Sequence, residues 1–366
     1  MKVIQPRPFN PRKTIFVGTV ILILIIVAIR RDPPGPEHIH WTGRTMGTHY
    51  DIKIAHSPLS VADSRRLNLE IKNYFLQLNE EMSTYIEDSE ISRFNRRADT
   101  DPVPVSASFA LVTREALHWA ERTDGAFDPT LDPLINLWGF GHDASPGAPS
   151  EQDIAATLEQ IGYDGVRVPD DFHLQKEHPD VQLNLNAIAK GYAVDGVANL
   201  IRLYGATNYY VEIGGDLVVS GVNRERMPWR IGVELPDPAA APGERLHGIA
   251  HLSSGAMAGS GNYRQFRIDE TGETISHILD PRTGHPVRHD LAGVNVWSET
   301  CMVADAIATA LIVMGTEEGR AWIEEVPEAE AVFFERADED TFRAFYSSGF
   351  EKVAGYEEMP TTPVSD

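Results

Sequence analysis

Residues 208–300 place the tightest limit on the fold. They read as short β-rich runs broken by glycine-bearing turns: Tyr209–Ile213, Leu217–Ser220, Trp229–Leu235, Gly248–Leu252, Tyr263–Ile268 and Gly293–Trp297. Helical spacing of apolar residues brackets this block. Ahead of it, Leu67, Ile71, Leu78 and Met82 form one stripe of a helix that starts after Ser60, and Val112, Ala116, Trp119 and Ala120 mark a second from about Ser108 to Arg122. Ile154, Leu158 and Ile161 mark a third after Ser150, and a fourth spans Ala187–Tyr204, closed by Gly205. Beyond the block, helices are expected over Cys301–Met314 and Glu317–Glu325, parted by Gly315. One strand is expected at Tyr50–Ile54, and two more near Ala331–Phe334 and Arg343–Tyr346. Strands joined by tight turns pair antiparallel, whereas a doubly wound sheet needs a helix between successive strands. The pattern predicts an α+β fold, with antiparallel or mixed sheets flanked by helices.

The N-terminus carries a separate signal. Lys2, Arg7, Arg12 and Lys13 precede an apolar run over residues 15–29, and Arg30 and Arg31 follow it. The run is shorter than the ~20 residues a spanning helix usually needs, but flanking Lys13 and Arg30 can snorkel. No small-residue cleavage site follows. The reading is an uncleaved signal anchor over residues 14–30, with a basic cytoplasmic segment at 1–13. The excess of basic charge before the run puts the body outside the inner membrane, on the periplasmic side. A cleaved signal peptide is the alternative. Residues 31–41, rich in proline, form a stiff linker; the globular domain covers 42–347; and 348–366 reads as a flexible acidic, proline-bearing tail.

The formal charge is −22, from 54 acidic against 32 basic residues. Such a surface repels phosphate backbones, which argues against nucleic acid as a partner. An anionic ligand would need a local cation or a helix N-terminus. The single cysteine, Cys301, excludes an internal disulfide and a cysteine-based metal site.

Several segments could carry chemistry. The run Asn184-Leu-Asn-Ala-Ile-Ala-Lys-Gly191 takes an extended segment into a helix, whose first amides can accept an anion beside Lys190. It also reads as an ordinary strand-to-helix turn capped by Asn. Asp305 and Thr309 are four apart, on one face of a helix of small and apolar residues. An acid there is costly to bury unless paired or bound to metal. Two such oxygens with a backbone carbonyl suit Mg²⁺; a local cap or salt bridge is the alternative. His277 lies on a strand leading into the turn Asp280-Pro-Arg-Thr-Gly284 and could take a proton from a hydroxyl, or could be structural. Glu212-Ile-Gly-Gly-Asp216 and Ser260-Gly-Asn-Tyr263 allow close approach of a ligand or form hairpin turns. Gly125-Ala-Phe-Asp128 and Leu137-Trp-Gly-Phe-Gly141 could stack a flat ring or pack a core.

The ordered set is more specific than its parts. Thr45-Met-Gly-Thr48, Met82-Ser-Thr-Tyr85, Gly125-Ala-Phe-Asp-Pro129, Leu137–Gly141, Ala187-Ile-Ala-Lys-Gly-Tyr-Ala-Val-Asp195, Val211–Gly215, Ser260–Tyr263, His277-Ile-Leu-Asp-Pro-Arg-Thr-Gly284 and Ala304-Asp-Ala-Ile-Ala-Thr-Ala-Leu311 occur in this order. Together they resemble the ApbE family, the FAD:protein FMN transferases, over roughly residues 42–347. The resemblance implies Mg²⁺-dependent transfer of FMN from FAD to a Ser or Thr hydroxyl of an acceptor flavoprotein, a subunit of a membrane redox complex. FAD pyrophosphatase activity and a non-catalytic flavin carrier are the rival expectations. It implies that Met46, Tyr85 and the turn of Ala126, Phe127 and Asp128 line the FAD pocket, with Asn184, Lys190 and Ile278 further along. The Ala187 carbonyl, Asp305 and Thr309 would hold Mg²⁺, and His277 and Asp305 would act in catalysis. At position 184 the family commonly has an acid where this chain has Asn, and the usual lipid-bearing cysteine is absent.

Overall fold

The computed structural model describes residues 34–141, 148–241, 243–262, 266–268, 274–338 and 341–360. The expected anchor at 14–30, its basic flank at 1–13 and Tyr263 lie outside them. Among the described residues no helix is long and apolar enough to cross a membrane.

Strands β1 (Ile39–Thr45) and β2 (Thr48–Ile54) form a hairpin that leads into α1 (Val61–Met82) and α2 (Glu90–Asn95). Then come β3 (Val103–Pro104), α3 (Ala107–Arg122), α4 (Asp132–Leu137), α5 (Glu151–Leu158), β4 (Val166–Asp170), β5 (His173–Lys176) and α6 (Ala189–Leu203). The β-rich block gives β6 (Tyr209–Ile213), β7 (Asp216–Ser220), β8 (Trp229–Glu234), β9 (Leu246–Leu252), β10 (Ser254–Gly261), β11 (Phe266–Ile268), β12 (Thr274–Ser276) and β13 (Leu291–Ser298). The chain closes with α7 (Cys301–Ile323), β14 (Ala329–Asp338), β15 (Thr341–Tyr346), α8 (Phe350–Ala354) and β16 (Glu357–Glu358).

Helix starts follow their caps. The side chains of Ser60, Ser106 and Ser150 each accept a first-turn backbone N–H of α1, α3 and α5, and Ser150 with Asp153 completes a capping box. Gly315 interrupts α7 with φ 79° and ψ −178°, which produces the two expected helical pieces.

The centre is an eight-stranded sheet in the order β1-β2-β6-β7-β10-β13-β14-β15, antiparallel throughout. Side chains alternate across a strand, so this sheet feeds two cores. Val218, Ala256, Ala258, Ala331 and Phe333 face the main core, which is filled from α1, α6 and α7 by Leu67, Ile71, Val197, Ile201, Ile307 and Leu311. Leu217, Val219, Met257, Val332 and Phe334 face the other way, onto Trp229, Ile231 and Val233 of β8, and onto Phe350 and Tyr356. β8, β9 and β16 form the small sheet on that side.

The tail expected from residue 348 is corrected here. Phe350 and Ala354 are fully buried, and β16 pairs with β9. Acidic composition suggested a solvated segment, but two aromatic anchors are enough to dock it. Residues 361–366 lie outside the described residues. β1, β3, β4, β5, β10 and β16 were not read from the sequence.

Candidate active site

α6 and α7 cross with their backbones almost touching. A Cβ on Gly191 would lie 2.4 Å from the Cys301 carbonyl oxygen and 2.6 Å from Met302 Cα. That closeness lets each helix cap the other. Asp195 of α6 accepts from the Cys301 and Met302 N–H groups at the start of α7, both at 2.9 Å. Asp305 of α7 accepts from Gly191 N–H in the first turn of α6 at 3.0 Å. Helix N-termini carry unpaired donors and partial positive charge, so each carboxylate sits where its charge is best tolerated. Burial still pushes Asp195 up to about 6, against the lowering by the Met302 and Cys301 amides.

A second layer of charge meets this one. Lys190 pairs with Asp216 of β7, and its Nζ stands 3.6 Å from Asp305 Oδ1. Asp216, buried on the main-core side of the sheet, also takes a long contact of 3.4 Å from Gly259 N–H of β10. Burial and the nearby Asp305 raise the Asp216 carboxyl, with Lys190 pulling the other way. Burial opposes the Lys190 charge, but Asp216 and Asp305 outweigh it and hold the ammonium above its ordinary range. Lys190 is therefore the counter-ion of two buried acids, where the sequence suggested a lysine free to meet a phosphate. Cys301 is buried, and burial pushes its thiol up, in keeping with an inert small hydrophobe.

The residues fit a hard divalent ion. Asp305 is only 4% exposed; Gly191 N–H occupies Oδ2, and Oδ1 has Lys190 beyond hydrogen-bond length. Thr309 follows one turn along the same helix. α6 starts at Ala189, so the Ala187 carbonyl stands just before its ladder, and Gly191 N–H is turned to Asp305. A carboxylate, a hydroxyl and a carbonyl make an all-oxygen donor set of the kind Mg²⁺ takes.

The expected flavin-lining residues fall into groups. Met46 and Gly47 form the two-residue turn between β1 and β2, with φ of 47° and 75°. Positive φ at both centres is the geometry of a tight hairpin, and it is strained for methionine. Asn79 Nδ2 donates to Thr45 Oγ1 at 3.4 Å, which ties this turn to the end of α1. Beyond that end Tyr85 is 62% exposed. Ala126 and Phe127 are buried in the main core, and the Asp128 carboxylate is engaged by Thr130 and by Tyr163 N–H. The side chains of that turn are thus structural, and only its backbone remains for a ligand. Asn184 joins the same region: its N–H donates to Pro129 O, and its amide donates to Asp132 at 2.8 Å. A carboxylate therefore does lie beside position 184, supplied from α4.

His277 and Ile278 precede Leu279, a member of a small third core with Leu134, Trp138 and Ile154. The His277 ring is half-buried and meets Phe140 edge-on at 6.4 Å. Ile278 packs onto the main core. Trp138 Nε1 donates to Gly284 O at 2.8 Å, so the two aromatic and turn segments are packed together. Two surface depressions, one lined by Arg114, Leu117 and Tyr163 and one by Arg93, Phe94 and Val103, contain none of the expected site residues.

Residues 46–333 match the family model described as ApbE family. The FAD:protein FMN transferase of Vibrio cholerae is 38% identical over 86% of this chain and 92% of its own length. The chain belongs to the ApbE family. The Haemophilus influenzae FAD:protein FMN transferase is 34% identical over 92% of this chain and 97% of its own length. The solved flavin transferase ApbE from Vibrio cholerae superposes with a TM-score of 0.77 over 86% of this chain and 98% of that one, at 38% identity. The α+β architecture expected from the β-rich block is that of the ApbE fold.

Within this ApbE chain three acids matter that sequence reasoning did not single out. Asp216 pairs with Lys190, Asp195 caps α7, and Asp132 holds Asn184. The signal for Asp216 was available: it precedes Leu-Val-Val in an apolar strand, where an unpartnered carboxylate is costly.

Proposed function

We propose that this chain transfers FMN from FAD to a Ser or Thr hydroxyl of an acceptor protein and releases AMP. The acceptor oxygen attacks the FMN phosphorus, and the bond from that phosphorus to the AMP phosphate breaks. Asp305 carries this reading. It is a buried acid on a helix face with Thr309, held by Gly191 N–H, in a chain whose relatives are named FAD:protein FMN transferases.

When bound, Mg²⁺ would neutralise charge on the FAD diphosphate and the departing AMP. Ala187 O, Asp305 and Thr309 would hold it. Asp195 and Gly191 fix α6 against α7, so the donors from the two helices keep their spacing. Lys190 stays charged between Asp216 and Asp305 and balances the buried acids. His277 takes the proton of the attacking hydroxyl. Met46 and Tyr85 lie at one edge of the flavin region, and Asn184, Ile278 and the backbone of Ala126–Asp128 contribute from the other.

The N-terminal run anchors the chain in the inner membrane with the catalytic domain on the periplasmic side, beside an acceptor subunit of a membrane redox complex. Intact mass and membrane fractionation of the native protein test the anchor.

The activity test incubates the chain with FAD, Mg²⁺ and an acceptor already shown to be flavinylated by another transferase. The expected result is an acceptor heavier by one esterified FMN, with AMP released. Free FMN and AMP in the absence of acceptor would identify a pyrophosphatase. Absence of either product would leave a flavin carrier and sink the transferase reading.

A further inference from the structure

A second polar cluster lies where the N-terminal segment enters the fold, remote in sequence from every residue of the α6–α7 site. Glu37 and His38 precede β1, and His56 follows β2, so the open end of the hairpin brings them together. Their ligand atoms all lie within 4.8 Å of one another. His56 Nδ1 is 3.1 Å from Glu37 Oε1. The two imidazoles meet edge-on with centroids 5.3 Å apart.

The hydrogen bonding of His56 fixes which of its nitrogens can bind a ligand. His56 Nε2 lies 3.1 Å from the Asn223 carbonyl oxygen. A carbonyl only accepts, so Nε2 carries the proton. In the neutral ring Nδ1 is then a lone pair, and it faces a carboxylate oxygen. His38 Nδ1 is buried and has no hydrogen-bond partner. Each of the three residues thus brings a possible ligand atom to one place, and the neutral form of His56 offers its Nδ1 lone pair there. Two ligands on one zinc, at tetrahedral angles and ordinary bond lengths, stand about 3.3 Å apart, close to the His56–Glu37 spacing. The Asn223 carbonyl is the kind of outer partner that fixes the tautomer of a metal-binding histidine.

We propose that Glu37, His38 and His56 form a binding site for a borderline transition-metal ion of the Zn²⁺ class, with the fourth position open to water. Two imidazoles and one carboxylate suit such an ion, whereas the all-oxygen set at Asp305 suits Mg²⁺. The two sites therefore sort metals by ligand softness. The ion staples the entering segment to the loop after β2, and through His56 to the turn at Asn223. That segment is already laid along the loop by Gly35 N–H to Leu59 O at 2.9 Å and Ser57 N–H to Glu37 O at 2.8 Å.

The test uses the full, untagged chain in detergent, stripped by a chelator and then held in excess Mg²⁺ to occupy the Asp305 site. Zinc retained after dialysis is counted, and Co²⁺ is added separately to read its visible ligand-field absorption. One equivalent of zinc and a tetrahedral-type cobalt spectrum are expected. Both should disappear in His56→Ala and His38→Ala and persist in Asp305→Ala. Far-ultraviolet circular dichroism checks the fold of each variant, and Glu37→Gln, on an exposed side chain, should weaken zinc about tenfold or more without touching the core. Zinc content unchanged by both histidine variants would overturn the site. So would absence of retained zinc in the parent chain, the outcome expected if His56 is simply a protonated partner of Glu37.

Discussion

The two faces of the central sheet are differently built. The face under α6 and α7 holds Lys190, Asp195, Asp216 and Asp305 among alanines and valines. The face under β8, β9 and α8 is an apolar cluster of Leu217, Met257, Phe334, Trp229 and Phe350. Asp216 and Leu217 are neighbours in sequence and belong to opposite faces, because side chains alternate along a strand. The buried acids here are answered by helix N-termini and by a lysine. The contrast separates chemistry from cohesion, and each face can be attacked without the other.

The largest effect on stability should come from the apolar face. Phe334→Ala removes a fully buried ring and is expected to cost about 3–5 kcal/mol in urea unfolding. Flavin transfer per folded molecule should stay near that of the parent. A comparable loss of turnover with no loss of stability would erase the distinction between the faces.

Asp195 comes next, through pH. Its folded pKa is raised to about 6 by burial, above the ordinary carboxylate value in the unfolded chain. The folded state then binds the proton more tightly, so this group favours folding at low pH. Its contribution is lost as pH rises from about 4 to about 6, by about 3 kcal/mol. Asp195→Asn does not titrate. Measured against that variant, the parent should lose stability across the window, and parallel curves would contradict the burial of this acid.

Gly191→Ala sharpens the contrast at the helix crossing. The added methyl meets Cys301 O and Met302 Cα, so α6 and α7 must part. The expected cost is about 1–3 kcal/mol, accompanied by weaker Mg²⁺ binding in calorimetry. Unchanged metal affinity would mean that the crossing does not set the donor spacing. The smallest effect is at Asn184→Asp, which restores the acid common in the family. It loses the donor to Asp132 and sets two carboxylates 2.8 Å apart, so about 1 kcal/mol of stability should go. A gain in stability would show that Asp132 moves freely.

Much of the chemical face was legible in the sequence, because an acid at helical spacing among small residues stands out. Spacing marked Asp305 and Thr309, and the strand-to-helix run marked Lys190, which the fold brings to 3.6 Å from Asp305; the Ser60 and Ser150 helix starts and the Gly315 break were legible from cap and breaker residues. Asp216 could be suspected as a costly acid in an apolar strand, but its pairing with Lys190 was not legible, because that needs β7 packed under α6. β10 escaped for a related reason. Ser254-Gly-Ala-Met-Ala-Gly-Ser-Gly261 has almost no large apolar residues, yet it lies at the centre of the sheet, covered by α7 on one side and by the second core on the other. On the side covered by α7 the strand presents only small residues, Ala256, Ala258 and Ser260, and that composition mimics a loop. The docked segment after residue 348 was hidden the other way, by acidic residues around two aromatic anchors. The side chains of Ala126 and Phe127 pack into the main core, and that of Asp128 is held by Thr130 and Tyr163, contacts that the spacing of Gly125–Pro129 did not reveal.

The most direct measurement of the central claim is the rate of covalent FMN attachment to a proven acceptor by Asp305→Ala, in saturating FAD and Mg²⁺. The fall should be about 10²-fold or more, with the far-ultraviolet spectrum retained. A rate within about threefold of the parent would contradict the placement of the metal on α7 and the mechanism built on it.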